Sequence, residues 1–224
     1  GLPEEIQSKL AVEPVLRTYI LSLIASEFVA SRPQLLAFFD RTFYAQQFRD
    51  LAALHRIMTK MLQLLAEWEF IDADGDGEFR AANDLGRERL AATDVGRRVS
   101  ELYLDPFDAY YMIECLRRGS AVSQARSDFS YLFLICRTLE MRPYLHVKMA
   151  EFEDIAAAGA RFQDVVFEPE PGEFSEEYER YLDGLKTALC LRDWIEEKDE
   201  DYLMATYGIR PGELNAKLEV ADWL

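Results

Sequence analysis

Apolar residues recur at helical spacing from Glu13 to Ala30, where Val15, Leu16, Tyr19, Ile20, Leu23 and Ile24 share one face. Ser31-Arg32-Pro33 closes that helix and opens a second, which carries Leu35, Leu36, Phe39 and Phe43. A third, from about Arg49 to Trp68, sets Leu51, Leu54, Met58, Met61, Leu62 and Leu65 on one side. The period then changes. Glu69-Phe70-Ile71 and Glu78-Phe79-Arg80 read as short extended runs around an Asp- and Gly-rich turn, a hairpin after a third helix. Three helices followed by a hairpin is the layout of a winged helix, a helix-turn-helix variant in which the hairpin is the wing.

A further extended piece, Arg89 to Ala92, leads into a second half patterned for helices throughout, beginning at Thr93. Asp105-Pro106 supplies an N-cap and a proline at the first helical position, and Gly119 after Arg117-Arg118 is the expected stop. Ser127-Asp128 opens a helix through Tyr131, Leu132, Leu134, Ile135 and Leu139, and a shorter one covers Val147 to Ala157. The acidic loop Phe167 to Gly172 precedes the longest helix, Ser175 to Lys198. Tyr207-Gly208 ends a short helix, and Pro211 starts a last one whose pattern still runs at Leu224, as in a chain that continues. The predicted class is therefore mainly α. A winged-helix domain with a β-hairpin wing is expected over residues 1–104 and an all-α helical domain over 105–224.

Composition narrows the function classes. Half of the 224 residues are apolar, enough for real cores, and the formal net charge is −16. The basic residues comprise 19 Arg and only 6 Lys. An acidic, lysine-poor surface keeps a protein hydrated in concentrated salt and is read as the mark of a salt-adapted organism. The same balance argues against nucleic acid unless a local basic patch exists. Cys115, Cys136 and Cys190 form no CxxC pair, and with only His55 and His146 beside them no zinc pattern arises, so no metal ligands are nominated. No apolar run reaches the roughly 18 residues needed to span a bilayer, and no signal-peptide pattern is present. A soluble, cytoplasmic, monomeric chain without membrane association is expected.

The stretch DADGDGEFRAAND, Asp72 to Asp84, opens like a calcium-binding EF-hand loop, with Asp72, Asp74, Asp76 and Gly77 at the first ligand positions and the turn. It fails where the bidentate Glu belongs, since that position is Asn83, and Phe79 stands where an aliphatic residue is usual. The competing reading is a tight turn with Gly75 and Gly77 at positive φ. No phosphate loop, nucleophile elbow, dinucleotide fingerprint or H-E-x-x-H pair occurs, so no catalytic residue is nominated and no cofactor is expected to bind this chain.

The long helix is the informative element. Tyr178, Tyr181, Leu182, Leu185, Ala188, Leu189, Leu191 and Ile195 project onto one broad arc facing a core. Trp194 lies on the opposite, polar arc, with Arg180 and Thr187 along the same stripe and Lys186, Asp183 and Cys190 beside them. A tryptophan there either packs against another domain or offers a flat surface on which a nucleobase stacks, with Arg or Lys beside it for phosphates. The nucleic-acid candidates are Trp194, Lys186, Thr187 and Arg180.

Four long stretches carry a resemblance: EPVLRTYILSLIASEFV (13 to 29), TDVGRRVSELYLDPFDA (93 to 109), KTALCLRDWIEEKDED (186 to 201) and YGIRPGELNAKLEVADWL (207 to 224). Together they resemble the archaeal Ski2-like superfamily 2 DNA helicases, relatives of the polymerase-theta helicase domain. The resemblance implies two RecA-like motor domains elsewhere in the complete protein, and here the winged-helix and ratchet domains that follow them. It further implies an ATP- and Mg²⁺-dependent 3′-to-5′ helicase acting on forked DNA at stalled replication forks, with single-stranded DNA and the motor domains as partners. By resemblance the helix from Ser175 to Lys198 is the ratchet helix and Trp194 its base-stacking residue; the basic residue expected about two turns earlier falls on Thr187 or its neighbour Lys186. The Asp/Gly stretch then sits where the wing belongs, whereas an EF-hand needs a helix directly after its loop. A rival reading, a stand-alone winged-helix transcription regulator with a helical dimerisation domain, needs a basic third helix. Only Arg49, Arg56 and Lys60 stand there against Asp50, Glu67 and Glu69.

Overall fold

The computed structural model describes residues 4–41, 51–73, 89–121, 127–172 and 175–224. Its contacts divide the chain into two compact units, Gly1–Tyr110 and Tyr111–Leu224. The described residues are mainly helical, and their only sheet is one pair of strands.

In the first unit, α1 (Glu4–Ala25) packs on α3 (Leu51–Glu67) and on α4 (Asp94–Glu101), and α2 (Arg32–Asp40) also packs on α3. The α3 stripe is buried as its period requires, through Leu54, Met58, Met61, Leu62 and Leu65. Leu35 and Phe39 of α2 are buried too, while Phe43 lies outside the described residues. On α1 the buried stripe is rotated from the expected one. Leu16, Ile20, Leu21 and Ile24 face inward, whereas Val15 and Tyr19 are about half exposed, at 49% and 54%. This helix also starts earlier than expected and runs straight through Pro14, ending at Ala25.

Strand β1 (Ile71–Ala73) pairs antiparallel with β2 (Leu90–Ala92), with Ile71 opposite Ala92 and Ala73 opposite Leu90. The partner of β1 is thus the extended piece read at 89–92. The run 78–80, and residues 74–84 of the Asp/Gly stretch on which the calcium and wing readings rest, lie outside the described residues. After β2 the Thr93 hydroxyl accepts a hydrogen bond from the Gly96 amide at 3.0 Å, capping α4. Gly96 is required there: a Cβ at that position would lie 1.9 Å from the Phe70 carbonyl oxygen, which seats the helix against the end of β1. The Arg17 guanidinium, buried under Trp68 and Phe107, holds both oxygens of Asp105 at 2.8 and 2.9 Å, and Asp105 also accepts the Phe107 amide at the start of α5 (Pro106–Ala121). These bonds, with Tyr110 stacked on Trp68, assign the first turn of α5 to the first unit. Gly119 does not stop α5, which continues to Ala121.

The second unit holds the rest of α5, then α6 (Asp128–Cys136), a 3₁₀ turn (Met149–Glu151), α7 (Phe152–Ala160), α8 (Glu176–Ile195), α9 (Glu200–Tyr207) and α10 (Pro211–Trp223). Helix α8 is its axis, packed against α6, α7 and α9. Phe129 and Phe133 of α6, Ile155 of α7, Leu203 and Tyr207 of α9 and Leu214 of α10 enclose the α8 residues Tyr181, Leu185, Ala188 and Leu189. Caps set the helix ends. Ser175 and Asp199 accept from the Tyr178 and Tyr202 amides, and Gly208 at φ +70° ends α9 in the left-handed conformation that favours glycine.

Candidate nucleic-acid interface

Helix α8 is buried all round over most of its length. Tyr178, Tyr181, Leu182, Leu185, Ala188, Leu189 and Leu191 are buried as expected, but so are Lys186, Thr187 and Cys190, which the projection placed on the polar arc. Ile195, placed on the core arc, is 60% exposed as the last residue of the helix. The polar arc is therefore not a solvated surface, and neither Lys186 nor Thr187 is open to a strand.

What covers that arc is the segment from Tyr144 to Glu151, and the polar side chains of α8 are its anchors. The Thr187 hydroxyl accepts from the Leu145 amide at 3.0 Å and donates to the Asp183 carbonyl at 2.8 Å. Asp183 accepts from the Val147 amide at 2.7 Å and meets His146 Nδ1 at 3.3 Å. Lys186 Nζ donates to the His146 carbonyl at 3.0 Å and to Glu151 at 2.7 Å, and the same Glu151 oxygen accepts the Lys148 amide at 3.0 Å. Lys217 of α10 donates to the carbonyls of Pro143 and Met141. Burial alone would raise the Glu151 carboxyl, but the hydrogen bond from Lys186 and the Lys148 amide hold it below its usual value. Partial burial outweighs the charge of Glu213 and lowers the Lys217 ammonium.

At the C-terminal end of α8 the environment changes within one turn. Asp193 is buried and accepts from the Tyr207 hydroxyl at 2.6 Å, the Tyr202 hydroxyl at 3.3 Å and Arg192 at 2.6 Å. Burial opposes ionisation there, yet the bonds from Tyr207 and Arg192 keep its carboxyl below the usual range. The next residue, Trp194, is 44% exposed on a backbone fixed by that buried carboxylate. Arg180 is exposed near the other end of the helix, on the order of 21 Å away at the usual helical rise, with Glu176 at 3.5 Å. Of the four residues read as nucleic-acid candidates, the structure leaves Trp194 and Arg180 on the surface and places Lys186 and Thr187 inside, as anchors of the covering segment. Asp193 and Glu151 carry no sequence signal, because one carboxylate among 41 acidic residues stands out only once its partners are known.

Among the described residues, no group of three His, Cys, Asp or Glu is placed to hold a metal, and no helix is long and apolar enough to cross a membrane.

This arrangement falls within a known class. Residues 129–224, which contain α8, the segment over it and α9, match the family model of archaeal helicase, domain 4. Over nearly its whole length the chain is similar to proteins named ATP-dependent DNA helicase Hel308. The relative from Methanocella arvoryzae is 33% identical over 99% of this chain and 28% of its own length. That from Methanocaldococcus jannaschii is 34% identical over 99% of this chain and 16% of its own length, and that from Thermococcus kodakarensis 32% over 100% and 19%. The chain is thus similar to the archaeal Hel308 helicases, and it spans less than a third of the length of these relatives.

Proposed function

We propose that this chain is the strand-tracking, non-motor part of an ATP-dependent 3′-to-5′ DNA helicase that works on forked DNA in replication-fork repair. The first unit serves as the winged-helix domain and the second as the ratchet domain, with the boundary near residue 104 or a few residues later. In α8, Trp194 stacks on a base of the translocating strand, and Arg180 lies along the same helix as a candidate phosphate contact. ATP and Mg²⁺ belong to RecA-like motor domains of the parent protein. The sequence has no phosphate loop, so no residue of this chain is assigned to nucleotide, and no ATPase activity is expected from it. The protein works as a soluble, cytoplasmic monomer, and its acidic surface fits a salt-adapted organism, which a melting temperature rising with KCl would support.

The observation that carries this reading is Trp194: a large aromatic side chain left 44% exposed on the axial helix of the segment that matches the helicase family. Fluorescence anisotropy with a single-stranded oligonucleotide, alongside thermal unfolding, tests it. Trp194→Ala is expected to weaken binding by ~1–3 kcal/mol while the melting temperature holds, since no core cavity is created. A destabilised variant with intact binding would assign Trp194 to domain packing instead. Specific duplex binding tighter than single-strand binding would favour a winged-helix regulator.

A further inference from the structure

All three cations on α8 are already engaged. Arg180 faces Glu176 at 3.5 Å, Lys186 is buried on Glu151 at 2.7 Å, and Arg192 is shared between Asp193 at 2.6 Å and Glu196 at 3.5 Å. The long helix that would carry the strand thus has little positive charge to offer it. The segment laid across it does. Lys148 is exposed, stands between Val147, whose amide is held by Asp183, and the 3₁₀ turn Met149–Glu151, and its own amide is fixed by Glu151. Its ammonium is aimed at the end of α9, where a Cβ on Gly208 would lie 4.0 Å from Nζ. Gly208 follows Tyr207, whose hydroxyl binds Asp193, the residue before Trp194. Lys148 and the turn of α8 that carries Trp194 are thus both tied to the C-terminal end of α9.

We infer that Lys148 supplies the phosphate contact on this face, and that the buried Lys186 is a positioning residue that makes it available. The inference rests on the strand-tracking reading above. The chemical logic lies in Glu151. Its carboxylate is 26% exposed and is the nearest acid along the chain to Lys148; left free, it would neutralise that ammonium. Lys186, only 2% exposed, takes up the Glu151 charge from inside, and the Lys148 amide takes a further bond from the same oxygen. The Lys148 ammonium acts on Glu151 only through space and makes no bond to it, so it stays open to a ligand while its backbone is locked. The buried lysine at this position on α8 acts on the strand through the segment above it and does not touch it. The ligand class is the phosphodiester backbone of single-stranded nucleic acid, recognised without regard to sequence.

The test uses this whole chain and measures affinity for an oligothymidylate at several KCl concentrations. Each phosphate contact contributes about 0.7 to the slope of log affinity against log salt on single strands. Lys148→Ala is expected to flatten the slope by about that amount, and Lys148→Arg to restore it. Lys186→Met should flatten it equally with its fold intact, because Glu151 is then released onto Lys148; Lys186→Met should add nothing in a Lys148→Ala background. Should Lys186→Met fail to fold, Lys186→Met with Glu151→Gln removes both charges and is expected to recover the wild-type slope. An unchanged slope in Lys148→Ala overturns the assignment of the contact, and additive effects of the two substitutions overturn the positioning role. Trp194→Ala separates the two levels. If it weakens binding while Lys148→Ala does not change the slope, the strand-tracking reading stands and this inference falls; if the wild-type chain binds no single strand at all, both fall.

Discussion

In the first unit, α1 is buried on a stripe of aliphatic residues, and its buried Arg17 meets a buried carboxylate, Asp105. In the second, α8 is enclosed between Leu182 and Leu191, and the enclosed residues include Lys186 and Thr187, with Asp193 a few residues further on. The difference is one of what does the covering. Helix α1 is covered by side chains of other helices. One side of α8 is instead covered by irregular backbone, the segment 144–151, whose amides and carbonyls need partners away from water. Asp183, Lys186 and Thr187 are those partners. A polar stripe on a helix can therefore mean solvent, ligand or a buried loop, and only the partners tell these apart.

This contrast can be broken experimentally, beginning with the largest expected effect. Asp105→Ala leaves Arg17 buried without its carboxylate and is expected to destabilise the protein by about 3–5 kcal/mol in denaturant unfolding. A loss below 1 kcal/mol would show that Arg17 finds water or another acceptor. In the second unit the two halves of one ion pair should behave unequally. Glu151→Ala strands the buried Lys186 ammonium and is expected to cost about 3 kcal/mol, whereas Lys186→Met leaves a partly exposed carboxylate and an apolar side chain in an enclosed site, within about 1 kcal/mol of wild type. Equal losses would mean that the site tolerates a free charge, contrary to its burial.

A smaller effect concerns acid. The Asp193 carboxyl is held below its ordinary value in the folded chain, so its contribution is present at neutral pH. It is lost as the pH falls from about 4, the unfolded value, through the folded one. Asp193→Asn should therefore lower stability at neutral pH and make the acid limb of a pH–stability profile shallower. An unchanged acid limb would assign acid sensitivity to other carboxylates, Glu151 among them, whose value is also lowered.

Much of the fold is legible in the sequence, since local signals fix it. The α3 stripe from Leu54 to Leu65, the helix starts at Thr93 and Ser175, the stop at Gly208 and the start at Pro211 each depend on residues near one another along the chain. Less is legible where a competing local signal loses to packing. Gly119 reads as a stop, yet α5 runs past it, and Val15 and Tyr19 read as core beside Leu16 and Ile20, yet the packing on α3 and α4 leaves them half exposed and buries Leu21.

The sequence by itself determined the mainly helical class, the long axial helix and the stretches that resemble archaeal helicases, because composition, period and capping are properties of neighbouring residues. It also singled out Trp194. Tertiary structure alone decided that Lys186 and Thr187 face a covering backbone and that Glu151 is claimed from within. Those outcomes depend on bonds between residues 35 and 42 positions apart, Lys186 with Glu151 and Thr187 with Leu145, and no helical projection contains the partner.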